Sequence, residues 1–275
     1  MATRKIGLLT FAGGDPIWRL AAKRLEIQSR KYENISVFKI YSEKTLLRMC
    51  SENETQHIKE FKRGFGLWFW KPKIIIDFLE RYPEIDVVIY LDAGCEINST
   101  IEAKSKFSEY INELNRSNAI VFEMELQEKY WSSSMLIDFL ESKNSDLESG
   151  QLVGGAHLMS REFALKFCKV WQRSIEHNNF MLLADSEHRK EIANFREHRH
   201  DQSIFSLLMK QEENVSIHNS SEEIYFKNFV ENGQNWPIWT ARNKSYVPMK
   251  YENIFCSGFR LFERIVSKIY RISKI

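Results

Sequence analysis

The segment from Asp86 to Glu96 constrains the fold more than any other part of the chain. Val87-Val88-Ile89-Tyr90-Leu91 runs without a polar interruption, then stops at Asp92, a small-residue turn and Glu96. A short apolar run rich in β-branched side chains reads as a strand buried on both faces, the habit of parallel sheets. In open sheets of that kind, ligands bind beyond the carboxyl ends of the strands. Asp92 is therefore expected at a site and not in a core.

The residues before it agree with an α/β layout. Ile6–Phe11 reads as a first strand and 12–16 as the turn after it; 17–29 has helical periodicity and 35–41 alternates like a second strand. A helix is expected over 71–81, where Pro72 suits the first turn and Ile75, Ile76, Phe78 and Leu79 supply an apolar face. Further on, 101–114 reads as helix, 119–123 as strand, 131–141 as a short helix and 142–150 as a polar loop. Leu152–Met159 reads as one strand holding Gly154 and Gly155, where another group can approach the backbone closely. Helices are expected over 161–177 and 202–210, with a polar run at 185–199 between them and a loop-rich stretch from 216 to 248. The expected fold class is α/β: one Rossmann-type domain with a mixed, mostly parallel central sheet flanked by helices.

The last segment is different. Phe262, Ile265, Val266, Ile269, Ile272 and Ile275 recur at helical spacing, with Arg260, Arg264, Lys268, Arg271 and Lys274 on the other side. The expected division is 1–248 as the catalytic domain and 249–275 as a basic amphipathic helix able to lie on an anionic membrane. A terminal helix docked on the domain is the alternative. No stretch is long and apolar enough to cross a bilayer, and the N-terminus has no signal-peptide core.

Composition narrows the function classes. A formal net charge of +2 argues against nucleic acid as a partner. Four scattered cysteines without a CxxC pair exclude a zinc ribbon and point to a reducing compartment, hence a cytoplasmic location. Cys95, though near Asp92, is better read as a small buried filler than as a nucleophile.

Three clusters can carry chemistry. Asp92 offers the hard oxygen that Mg²⁺ or Mn²⁺ prefers, with Glu96 near enough to orient a metal ligand or a substrate hydroxyl; a turn-stabilising Asp is the competing reading. Lys62 to Pro72 combines glycines, the cations Arg63 and Lys71, and the flat faces of Trp68 and Trp70. This suits a phosphate-bearing ligand with a ring to stack, against a hydrophobic turn clamped beneath the sheet. His200-Asp201 opens a helix, where the pair could serve as general base or metal ligand and Asp201 alone as N-cap.

Taken in order, Arg63-Gly64-Phe65-Gly66…Trp70-Lys71-Pro72, Tyr90-Leu91-Asp92-Ala93-Gly94-Cys95-Glu96, Gly150-Gln151…Gly154-Gly155 and His198-Arg199-His200-Asp201-Gln202-Ser203 resemble a family of bacterial glycosyltransferases. That family belongs to capsule and lipopolysaccharide O-antigen gene clusters, and the resemblance spans roughly 6–245. It implies a GT-A-like fold using a nucleotide-diphosphate sugar, UDP-linked by preference, with Mn²⁺ or Mg²⁺. Asp92 then takes the first position of the DxD-type metal motif, whose third position here is Gly94, leaving Glu96 or His218 as substitute donors. Arg63, Trp68, Trp70, Lys71, Asp92 and Arg242 would bind the donor, Arg242 having a solvated loop arginine as its alternative. Gln151, Gly154 and Gly155 would lie on the acceptor side. Asp201, with His200 and Glu96, would serve catalysis: Asp201 accepts the acceptor proton if configuration inverts and positions the sugar if it is retained. The acceptor would be a saccharide or a lipid-linked saccharide, and the enzyme would sit at the cytoplasmic face of the inner membrane. Two rivals remain: a non-catalytic module binding nucleotide-sugar or glycan, and a nucleotidyltransferase, which the lack of basic residues in 12–15 disfavours.

Overall fold

The computed structural model describes residues 4–184, 191–219, 235–246 and 248. Along these, β1 (Ile6–Ala12) leads through α1 (Ile17–Ser29) to β2 (Ile35–Ser42), then α2 (Glu43–Leu47), α3 (Glu52–Glu60), a turn α4 (Gly64–Leu67) and α5 (Lys71–Arg81). After β3 (Val87–Leu91) come the short β4 (Glu96–Ile97), α6 (Ile101–Glu113), β5 (Ala119–Gln127), α7 (Ser134–Phe139) and α8 (Asn144–Glu148). The described chain continues with β6 (Gly150–Leu152), β7 (Ala156–Ser160), α9 (Arg161–Glu176), α10 (Asp201–Lys210), β8 (Val215–Asn219) and β9 (Ile238–Trp239).

Seven strands form the main sheet in the order β2-β1-β3-β7-β5-β6, with β8 on the other side of β5. β1, β2, β3, β5 and β8 share one direction, while β6 and β7 run against them. The sheet is therefore mixed and mostly parallel, as the apolar runs at Ile6–Ala12 and Val87–Leu91 require: every residue of both is buried. Strand parity divides the core. Val87, Ile89 and Leu91 face α1 and α6 through Leu25, Phe107 and Tyr110. Val88 and Tyr90 face the opposite layer, where Ile75 and Phe78 of α5, Phe167 and Trp171 of α9 and Phe205 of α10 pack. Asp92, two residues beyond Tyr90, inherits that second face. It therefore emerges toward the starts of α5 and α10.

Several expectations needed correction. The single strand over Leu152–Met159 is two, β6 and β7, broken at 153–155 where Asp92 N–H bonds to the Gly155 carbonyl at 2.8 Å. The helix over 131–141 shrinks to α7, preceded by a 3₁₀ turn at Glu128–Tyr130, and the polar loop contains α8. The loop-rich stretch beyond 216 begins inside β8, and further along it β9 pairs antiparallel with β4, Glu96 opposite Trp239. α3 begins with a full capping box, Ser51 and Glu54 each bonding the other's backbone N–H. The expected basic amphipathic helix of 249–275 lies outside the described residues, as does the start of the polar run, 185–190. Among the described residues no helix is long and apolar enough to cross a membrane.

Candidate active site

A cleft of about 620 Å³ opens at the carboxyl ends of β1 and β3. Its floor is a cation shared by two acids. Lys71, at the first turn of α5, lies 2.7 Å from Asp201 Oδ2 and 3.6 Å from Asp92 Oδ1, and donates to the Gly154 carbonyl at 3.1 Å. A cation at a helix start opposes the helix dipole, so Lys71 is stable there because both carboxylates surround it. Burial works to lower its pKa, but Asp201 and then Asp92 outweigh burial and raise it.

The two acids differ. Asp92 keeps 45% of its side chain exposed. Its Oδ1 also accepts the Tyr90 hydroxyl at 2.6 Å, and its Oδ2 lies so close to Gly155 that a Cβ there would come within 2.5 Å. Asp201 sits in the first turn of α10 with 4% of its side chain exposed. Burial raises its pKa to about 6, Lys71 opposing and Asp92 adding to the shift. The helix cap is His200 and not Asp201: His200 adopts φ 51° and offers no side-chain cap, while its Nδ1–H donates to the Leu183 carbonyl at 2.7 Å.

One wall is a left-handed turn. Gly64, Phe65, Gly66, Leu67 and Trp68 have φ of 58°, 57°, 90°, 55° and 60° in succession. For residues with a Cβ this conformation costs roughly 1–2 kcal/mol each. The turn is held by Trp68 N–H to the Gly64 carbonyl at 3.2 Å, by the Trp70 indole N–H to the same carbonyl at 3.0 Å and by His57 Nε2 to the Gly66 carbonyl at 3.1 Å. It presents an aromatic surface, Phe65 against Phe11 and Trp70 against Phe11 with centroids 4.0 Å apart. Glycine at 64 is forced, since a Cβ would meet the Trp68 ring at 2.3 Å.

The other wall comes from far along the sequence. Pairing of β9 with β4 carries 240–245 to the Asp92 turn, where Asn243 N–H bonds the Gly94 carbonyl at 2.9 Å. Arg24 of α1 ties both segments together, donating to the carbonyls of Cys95 at 2.8 Å and Asn243 at 3.1 Å, and to that of Ser245. Arg242 and Lys244 thereby reach the cleft, Lys244 over the Trp18 ring at 5.2 Å.

The sequence-predicted residues are thus partly brought together. Arg63, Trp68, Trp70, Lys71, Asp92, Gly155, His200, Asp201 and Arg242 border the cleft. Glu96, wholly buried, turns away from it, accepting from Gln28 at 3.1 Å and Asn243 at 2.7 Å. Gln151 lies behind the wall, donating to buried Glu128 at 2.9 Å and accepting from Gln202, whose own oxygen takes the Gly154 N–H. Gly154 carries Lys71, as described. His218 bonds Glu113 of α6 at 3.0 Å, and His198 is fully engaged between Ser133 N–H and the Leu182 carbonyl, with burial pushing its pKa to about 4.

This donor set does not fit the expected Mn²⁺ or Mg²⁺. The second carboxylate such an ion would use is spent on Lys71, and the substitutes Glu96 and His218 are elsewhere. A dication on Asp92 would also lie beside a buried ammonium, a like-charge contact of several kcal/mol.

Sequence reasoning left Tyr90, Trp18, Arg199 and Lys244 without roles at this site. Tyr90 had a usable signal, since residues two apart in a strand share a face.

No protein-family model matches the chain, and no curated protein is similar to it in sequence. Among solved structures, a glycosyltransferase involved in the glycosylation of the major capsid of PBCV-1 aligns at 12% identity over 95% of this chain and 98% of its own, with a TM-score of 0.49. Mouse xyloside xylosyltransferase 1 aligns at 12% identity over 86% of this chain and 97% of its own, with a TM-score of 0.43. Likeness at this level assigns no activity.

Proposed function

We propose that this chain is a glycosyltransferase that moves a sugar from a nucleoside-diphosphate donor, preferably a uridine one, to a saccharide or lipid-linked acceptor of a surface polysaccharide. The observation that carries the reading is the half-exposed Asp92 at the end of β3, held by Tyr90 and Lys71 in a cleft rimmed by cations and aromatic faces. In transfer, the acceptor oxygen bonds to the anomeric carbon, the bond from that carbon to the diphosphate breaks, and the acceptor proton needs a base. Asp92, open to the cleft, takes that role in this proposal. Asp201, expected from the resemblance to take the acceptor proton if configuration inverts and to position the sugar if it is retained, becomes in this proposal a positioning residue that holds Lys71 and through it Asp92. Arg242 and Lys244 meet the charge growing on the leaving diphosphate. No step is routed through a metal ion. The segment 249–275 is proposed, from its pattern alone, to hold the enzyme at an anionic membrane.

The test is a thermal-shift screen against UDP, GDP, CMP and TDP sugars, followed by a transfer assay with the stabilising donor. Ligand at 100 times its Kd should stabilise the native state by about 2.7 kcal/mol. No stabilisation by any of the four would remove the reading, and stabilisation without turnover would make the chain a binding module.

A further inference from the structure

Behind the part of the cleft wall formed by Gln202 lies a buried chain of polar groups that the proposed transfer does not use. It starts at Glu128, in the 3₁₀ turn after β5 and wholly shielded from solvent. Four donors meet its two oxygens. Ser132 Oγ lies 2.6 Å and Gln151 Nε2 2.9 Å from Oε1. Lys210 Nζ lies 3.0 Å from Oε2, and the Ser206 hydroxyl donates to the same oxygen. A carboxylate only accepts, so it fixes which end of a neighbouring amide faces it. Gln151 therefore turns its NH₂ to Glu128 and its oxygen to Gln202, which donates to it at 2.7 Å. The Gln202 oxygen in turn accepts the Gly154 N–H at 3.2 Å.

Gly154 is where this chain meets the site. Its carbonyl takes Lys71 at 3.1 Å, and the next carbonyl, that of Gly155, takes the Asp92 N–H at 2.8 Å. Because β6 ends at Leu152 and β7 begins at Ala156, a side chain and not a strand partner holds the Gly154 N–H. The fit is close, since a Cβ at Gly154 would stand 3.1 Å from Gln202 Cβ. A second branch runs from Glu128 through Ser206, whose oxygen accepts the Leu152 N–H at 2.8 Å. One buried acid thus supports both ends of the break that carries Lys71 and Asp92.

We propose that Glu128 is a positioning residue for the cleft: it sets the polarity of the Gln151–Gln202 relay and so holds the Gly154 peptide against Lys71 and Asp92. Its part in turnover rests on the transferase reading, whereas the polarity does not. The charge of Glu128, more than its shape, carries the role. In Glu128→Gln, an almost isosteric change, the new amide would turn its oxygen to Lys210, because an NH₂ facing an ammonium sets donor against donor. Its NH₂ would then face Gln151. Each amide beyond would have to flip to keep its bond, and the last flip sets the Gln202 NH₂ against the Gly154 N–H. The substitution therefore costs a buried hydrogen bond, and the weakest link is the one at Gly154.

Amide hydrogen exchange and kinetics of the full chain test this. Glu128→Gln should speed exchange at the Gly154 N–H about tenfold, the worth of one hydrogen bond. The Val153 N–H, held by the Phe122 carbonyl at 2.8 Å, is the internal reference and should not change; a general loosening of the fold would move both. In the transfer assay kcat should fall about 10²-fold, the usual result of displacing a catalytic group, with donor KM nearly unchanged. The double variant Glu128→Gln/Gln151→Glu moves the carboxylate one step along the relay and restores its direction. Protection at Gly154 and kcat should both recover there, where a merely structural Glu128 predicts compounded damage. Gln202→Met removes the last acceptor with Glu128 in place and should reproduce both losses even if Glu128→Gln does not fold. Unchanged exchange at Gly154 in Gln202→Met, parallel changes at Val153 and Gly154 in Glu128→Gln, or no recovery in the double variant would overturn the relay. Faster exchange at Gly154 with unchanged kcat would overturn the positioning role. Turnover with no donor at all removes the transferase reading, and exchange alone then decides the relay.

Discussion

The strand side and the helix side of the cleft each supply an aspartate to one lysine, and the two aspartates live in different surroundings. Asp92 ends β3, where a strand gives out into solvent, and 45% of its side chain is open. Asp201 opens α10, where a helix packs onto the sheet, and only 4% is open. In the proposed reading the same ion pair is a working group at its open end and a structural one at its closed end. Exposure, and not chemical identity, divides the roles.

Exchanging each acid for its amide is the sharpest way to break that division. Asp92→Asn should lower turnover by about 10²–10⁴-fold, the usual worth of a general base, with unfolding in denaturant nearly unchanged. Asp201→Asn should instead show its largest effect in unfolding, and one that changes with pH because only the wild-type group ionises. Reversal of that order would make Asp201 the base. Gly155→Ala probes the strand side from behind. A Cβ would come within 2.5 Å of Asp92 Oδ2, and a misplaced catalytic group costs on the order of 10²-fold in rate; unchanged kinetics would show that Asp92 need not be held against Gly155.

The smallest effect is in pH dependence. Asp201 has its carboxyl raised from 3.8 to about 6 in the folded protein, so below the lower value both states hold the proton. As pH climbs from there through 6 the folded state retains the proton longer than the unfolded one, so this group's contribution to stability falls. Comparing wild type with Asp201→Asn across that window should show the wild type losing relative stability with rising pH. Parallel curves would place the Asp201 carboxyl outside the buried setting described here.

How much was readable in advance follows the same boundary. Ile6–Ala12 and Val87–Leu91 announce themselves because a doubly buried strand must be apolar throughout, and Asp92 stands out by ending one. Residues set by distant pairing do not. Nothing local at Ile238-Trp239 signals that it pairs with Glu96-Ile97, yet that pairing delivers Arg242 and Lys244 to the site. Glu96 was drawn into the site by sequence proximity, whereas the turn and β4 carry it into a buried contact with Gln28 and Asn243. Lys71 borders the cleft, and its side chain there meets Asp201, Asp92 and the Gly154 carbonyl. A cation in the first turn of a helix is disfavoured by the dipole, which was the sequence-level hint that carboxylates, and not a ligand phosphate, surround it. The left-handed turn was legible only as two glycines, since Phe65, Leu67 and Trp68 give no sign of adopting a conformation their side chains resist.

That turn has an evolutionary consequence. Its backbone would relax if Phe65, Leu67 or Trp68 became glycine or asparagine, the residues that tolerate such dihedrals. Such replacements would also empty packed space, since Leu67 is buried in the core with Phe65 and Trp68 against it, and a large-to-small change in a core costs about 2–5 kcal/mol. Drift at this turn should therefore keep side-chain bulk and tolerate the strained dihedrals, because the packing that the bulk supplies outweighs the backbone relief.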